Sequence, residues 1–202
     1  MHLRYVALGD SYTIGTAVAR AERFPDQLVA RLGPGPQPLR LVANLGVNGA
    51  TSDDLIGDQL PASRRLDPAF ATLLIGVNDV VQGVSMDRYE ANLTTILDDL
   101  TARVGAERIV TLTVPDYTVT PAGAEYGDPA ARSAGIRECN RVMGRLAEAR
   151  GIACVDVHDI SLDAVADRTL VADDGLHPSG DQYARWVERL VPVVARLLDL
   201  RT

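Results

Sequence analysis

Tyr5-Val6-Ala7-Leu8-Gly9-Asp10-Ser11-Tyr12 is the stretch on which the fold turns. Four apolar residues run into a glycine, an acid and a serine. A short apolar run without polar alternation, closed by turn residues, reads as a strand buried on both faces of a sheet. Similar runs recur at Leu39–Ala43, Ala71–Ile75, Ile109–Val114 and Ile152–Val157. Between them lie stripes at helical spacing. Tyr89, Leu93, Ile96, Leu97, Leu100 and Val104 form one, and Ile136, Cys139, Val142, Met143 and Leu146 another. Tyr183, Trp186, Val187, Leu190, Val194 and Leu197 form the last, and Ser179 with Gln182 gives it a capping-box start. Strands alternating with helices predict an α/β fold with a mainly parallel sheet. No repeat, low-complexity tract or linker breaks the pattern, so a single domain over residues 1–202 is expected. The long irregular stretch 115–129, with its Pro, Gly and Tyr, has the length of a functional loop.

Composition narrows the classes of function. The formal net charge is −7 and no basic stripe stands out, which argues against a nucleic-acid partner. All 20 cationic side chains are arginine, so any mechanism that needs a lysine is excluded. Cys139 and Cys154 are expected as small buried hydrophobes rather than a disulfide, and nothing has metal-ligand spacing; no cofactor is expected. No apolar run approaches the ~20 residues that span a bilayer, so no stable membrane insertion is expected. The start, Met1 to Leu8, has no apolar leader core, and a cytoplasmic protein is the default expectation. Oligomeric state is not legible here.

Parallel α/β sheets gather chemistry at the carboxyl ends of their strands. After the first strand comes Gly9-Asp10-Ser11, after the second Asn44-Leu45-Gly46-Val47-Asn48-Gly49, and after the third Gly76-Val77-Asn78-Asp79. In a sheet of order 2-1-3-4-5 these three strands are neighbours, and Ser11, Gly46 and Asn78 converge on one edge. Acyl transfer needs such a set. Ser11 supplies a hydroxyl nucleophile, and the backbone N–H of Gly46 and the side-chain amide of Asn78 can face a developing oxyanion. A serine also needs a base. In Asp174-Gly175-Leu176-His177-Pro178 a carboxylate three residues before a histidine can hold one ring nitrogen and leave the other free. Gly175 permits the bend, and Pro178 keeps His177 out of the following helix. His158 is a lesser candidate for the base, and His2 lies at the wrong end of its strand. Asp10, Asn48 and Asp79 read as structural partners of loop amides and turns.

Taken together, the four blocks resemble the SGNH/GDSL hydrolase family. They match Gly9-Asp10-Ser11, Gly46 in Asn-Leu-Gly-Val-Asn-Gly, Asn78 in Gly-Val-Asn-Asp, and His177 in Asp-Gly-Leu-His-Pro, in the family's order from Gly9 to Pro178. Tyr12 stands where the family's name expects a leucine. The resemblance implies a flavodoxin-like, three-layer α/β/α fold with a five-stranded sheet of order 2-1-3-4-5. It implies a Ser11–His177–Asp174 triad, an acyl-enzyme and no metal. The oxyanion hole would be made by Ser11 N–H, Gly46 N–H and the Asn78 side chain. The surroundings lack the Gly-x-Ser-x-Gly elbow of α/β-hydrolases.

The expected partner is a small-molecule ester, with short acyl or acetyl chains favoured. Tyr12, Val80, Val81 and Tyr117 are expected to line its pocket and Tyr126 to shape the rim. Alternatives are a lysophospholipase- or thioesterase-type acyl hydrolase, or a non-catalytic carbohydrate- or acyl-binding module. A phosphatase of the haloacid dehalogenase type is disfavoured, because Asp10-Ser11-Tyr12-Thr13 lacks a second acid and the chain lacks lysine.

Overall fold

β1 (Leu3–Gly9) lies inside a five-stranded sheet with β2 (Leu39–Asn44) on one side and β3 (Phe70–Leu74), β4 (Ile109–Leu112) and β5 (Ala153–Val155) on the other. The order is β2-β1-β3-β4-β5, and every pairing is parallel. The computed structural model of the protein describes residues 2–34 and 37–199, so residues 1, 35–36 and 200–202 of the expected domain span lie outside the described residues.

Successive residues of β1 point to opposite faces, and each face has its own core. Tyr5 and Ala7 pack with Phe24, Leu28, Tyr183 and Trp186, from α2 (Phe24–Leu32) and the last helix (Gly180–Asp199). Val6 and Leu8 pack with Leu93, Ile96, Val142 and Met143, from the long helices Met86–Val104 and Pro129–Glu148. These stripes are the helical faces expected from the sequence, and the result is an α/β/α sandwich. In chain order the remaining helices are α1 (Ser11–Ile14), α3 (Ser52–Asp54), α4 (Leu60–Leu66), α5 (Val77–Gln82) and α8 (His158–Leu162). The long helices are therefore α6 (Met86–Val104), α7 (Pro129–Glu148) and α9 (Gly180–Asp199).

Several local expectations change. β4 and β5 stop short of Val114 and Val157 because a side chain takes over the ladder. Thr113 Oγ1 accepts from the N–H groups of Val157 and His158 and donates to Asp156. The Val114 N–H donates to Asn140 at 2.6 Å. The cap of α9 is half a capping box. Gln182 N–H donates to Ser179 Oγ, but the Gln182 side chain turns away and donates to the Leu170 carbonyl. Cys139 is buried as expected. Cys154 is exposed, because on the short strand β5 its neighbours Ala153 and Val155 take the core-facing side; both thiols are free. The 115–129 stretch folds into short 3₁₀ turns at Tyr117–Val119 and Gly123–Tyr126. Among the described residues no helix is long and apolar enough to cross a membrane.

Candidate active site

β1 must end abruptly for Ser11 to open α1, and Gly9 allows it. Its φ is +152°, and a Cβ there would lie 2.1 Å from the Leu74 carbonyl oxygen. Gln59 fastens the strand end from a π-helical turn (Leu55–Gln59): Gly9 N–H donates to its side-chain oxygen at 2.9 Å, and its amide donates back to the Gly9 carbonyl at 2.7 Å. Asp10 caps α1 by accepting the Tyr12 N–H at 3.0 Å. This fixes the turn that carries Ser11.

Asp10 is fully buried, and its second carboxyl oxygen has no hydrogen-bond partner among the described residues. Burial pushes its carboxyl up to about 8, which the Tyr12 N–H bond moderates and the nearby Asp79 charge reinforces. Asp79 is also raised by burial, against the bonds it accepts from Ser52 N–H and Ser52 Oγ. Asn48 accepts the Thr16 hydroxyl. All three act as partners of loop groups.

His177 sits in a closed turn. Ala172 N–H donates to the His177 carbonyl at 2.8 Å, Gly175 N–H to the Ala172 carbonyl at 2.9 Å, and Gly175 adopts φ +72°. Asp174 Oδ1 accepts the N–H groups of Leu176 and His177, each at 2.9 Å, while His177 Nδ1–H donates to Asp174 Oδ2 at 2.6 Å. Burial pulls the Asp174 carboxyl upward, but these three bonds outweigh it and hold it below the usual carboxylate range. The Tyr12 ring meets the imidazole edge to face at 5.9 Å.

Ser11, Asn78 and His177 line one cleft of about 190 Å³, together with Tyr12, Val81 and Tyr117 from the expected pocket. Tyr126 stands at its rim, 42% exposed and edge-on to Tyr117 at 5.9 Å. Val80 is not in the cleft. It faces the opposite way on α5, where a Cβ at Gly135 of α7 would come within 2.9 Å of it. His158 is also absent from the cleft. It begins α8, with its ring Nε2 3.9 Å from buried Asp116.

Gly46 does not line the cleft either. Its N–H donates to Asn44 Oδ1 at 3.1 Å, and a Cβ there would collide with Ile14 N and Asp10 O at 2.6 and 2.8 Å. Gly46 is a glycine because α1 packs on its backbone. The second glycine of the same loop, Gly49, lines the cleft with Asn48. Gly49 has φ +76°, and among the described residues its N–H and that of Ser11 have no protein acceptor. Asn78 donates one amide hydrogen to the Ala50 carbonyl at 3.0 Å, which leaves the other available. Sequence reasoning passed over Gly49, although Asn48-Gly49 is a turn dipeptide suited to positive φ. Val77 and Leu176 complete the apolar lining. Among the described residues no group of three or more His, Cys, Asp or Glu side chains is arranged to hold a metal.

The sequence profile of the GDSL-like lipase/acylhydrolase family matches residues 7–185. Among solved structures, a W215I variant of Axe2, an acetyl xylan esterase from Geobacillus stearothermophilus, superposes with a TM-score of 0.74 at 22% identity, covering 95% of this chain and 94% of that one. TesA gives 0.73 at 22% identity, covering 96% and 99%. LAE5, described as an alpha/beta hydrolase enzyme from the metagenome of Lake Arreo, Spain, gives 0.69 at 23% identity, covering 96% of each chain. No curated protein matches this sequence.

Proposed function

The chain belongs to the GDSL-like lipase/acylhydrolase family and is a carboxylic ester hydrolase, and from that premise we propose that it cleaves short-chain acyl or acetyl esters through Ser11, His177 and Asp174. The carrying observation is the cleft itself: a hydroxyl, an imidazole braced by a carboxylate at 2.6 Å, and an amide from a third strand end share one small space.

Asp174 holds the Nδ1 proton of His177, so Nε2 carries the lone pair and takes the Ser11 proton as Oγ attacks the ester carbonyl. The oxyanion is met by the N–H groups of Ser11 and Gly49 and by the free amide hydrogen of Asn78. Gly49 takes the part first expected of Gly46, whose N–H is engaged by Asn44. As the tetrahedral intermediate collapses, His177 returns its proton to the leaving alkoxide and an acyl-Ser11 ester remains. Water then attacks that ester, His177 takes its proton, and collapse releases the acid and restores the Ser11 hydroxyl.

The cleft volume supports short acyl groups, since pockets for drug-sized ligands run to about 300–1,000 Å³. Its lining carries no aspartate, glutamate or arginine side chain, which suits an uncharged ester. Acetylated sugars, the substrate class named for one structural neighbour, are a natural member of the test panel. Ser11→Ala is expected to abolish hydrolysis of p-nitrophenyl acetate and butyrate with the fold intact by circular dichroism. Retained turnover in that variant would overturn the assignment.

A further inference from the structure

Arg132 has no carboxylate within ion-pair distance among the described residues, although its side chain is partly buried. Its guanidinium instead joins two backbone carbonyls. Nε donates to the Tyr126 carbonyl at 3.1 Å, and Nη1 donates to the Val80 carbonyl. Tyr126 is the rim residue of the cleft. Val80 lies on α5, the six-residue helix that also presents Asn78 and Val81 to the cleft. One planar group therefore ties the outer wall of the site to the helix that carries its side-chain amide.

The seat for that group is built by two glycines. At Gly127, φ is +119° and a Cβ would lie 2.7 Å from Arg132 Nε. At Gly135, one turn along α7 from Arg132, a Cβ would lie 2.9 Å from Val80 Cγ1. Together they let the guanidinium lie against the loop backbone and let α7 approach α5. The Asp128 cap and Pro129 fix the first turn of α7, so Arg132 projects from a rigid base. A lysine at this position would carry the same charge but a single donor point, and could not hold both carbonyls in one plane.

We propose that Arg132 is a positioning residue that sets the width of the cleft between Tyr126 and α5, and so limits the acyl chains it admits. This rests on the ester-hydrolase reading of the same cleft. Without the strap, the Tyr117–Tyr126 wall can swing outward and longer chains gain on shorter ones.

The test compares Arg132→Met, Arg132→Lys and, as a control on the same helix, Arg141→Met, which removes only an exposed pair with Glu138. Steady-state kinetics on p-nitrophenyl acetate and octanoate are measured beside hydrogen exchange of residues 118–127. In both Arg132 variants the octanoate-to-acetate ratio of kcat/KM is expected to rise about fivefold or more, mainly through KM. Exchange in 118–127 is expected to quicken about tenfold. The control should change neither. An unchanged ratio and unchanged exchange in folded Arg132→Lys would overturn the proposal; that variant keeps the stem and charge and serves if Arg132→Met does not fold. A wild-type protein that hydrolyses neither ester would instead defeat the ester-hydrolase reading, and the exchange comparison would still decide the strap.

Discussion

Asn78 divides its two amide hydrogens between structure and cleft. One donates to the Ala50 carbonyl at 3.0 Å and so locks the carboxamide plane. In the proposed reaction the other is available for a charge that develops only in the transition state, which is the condition for lowering a barrier rather than merely binding substrate. Asn78→Ala should lower kcat on p-nitrophenyl acetate by about 10²–10³ with a small change in KM. A loss below tenfold would remove Asn78 from the oxyanion site. Asp10 shows a different residue-scale effect. An exposed aspartate ionises near 3.8, whereas in the fold its carboxyl stays protonated up to about 8. Its contribution to stability is therefore complete below about pH 4 and fades as pH rises towards 8, because the unfolded chain gains by ionising while the fold resists. Asp10→Asn removes this slope. The melting temperature of the variant relative to wild type should climb between about pH 5 and pH 8 and level off above it, and a constant difference would contradict the buried neutral acid.

At the scale of elements, the site depends on how strands end. β1 stops at Gly9 with both backbone groups held by the amide of Gln59, itself buried in a π-helical turn. Insertions of this kind in a helix are frequent near functional sites. Gln59→Leu leaves the Gly9 N–H without its partner two residues before Ser11, while the Gly9 carbonyl keeps the Val47 N–H at 3.2 Å. The cost should be about 1–3 kcal/mol of unfolding free energy in urea titrations, the usual cost of one orphaned buried group. A change under about 0.5 kcal/mol, the usual range for surface substitutions, would show that the clamp is dispensable. The strand ends also mark where the sequence could and could not be read. The runs around Tyr5–Leu8 and Ala71–Ile75 identify their strands because both faces are buried and the pattern is local. Gly46 and Gly49 could not be told apart, because the N–H that is free depends on Asn44, whose side chain claims one of them. Val80 and Val81 are adjacent and equally apolar, and only the approach of α7 at Gly135 turns the first away from the cleft. The role of Arg132 left no mark at all, since its partners are backbone carbonyls and any residue supplies those.

Across the whole molecule, the four motif blocks lie far apart in sequence and meet because the order β2-β1-β3 brings three strand ends together. The fourth block arrives on the turn before α9, which is anchored below by Tyr183 and Trp186 in the core. The long 115–129 segment closes over this edge and is stitched to the His177 turn by the Ala122 N–H, which donates to the Gly175 carbonyl at 2.9 Å. Loop, turn and sheet edge thus form one continuous wall. The nucleophile, base and amide donors of the proposed reaction are all groups of this chain, so that reaction needs only water as co-reactant.

The most direct measurement is labelling with a fluorophosphonate, followed by peptide mapping of the adduct by mass spectrometry. A single adduct on Ser11 is expected, lost in Ser11→Ala and formed at least about 10²-fold more slowly in His177→Ala, where the serine has no base. An adduct on another residue, or labelling of Ser11 at an undiminished rate without His177, would contradict the account.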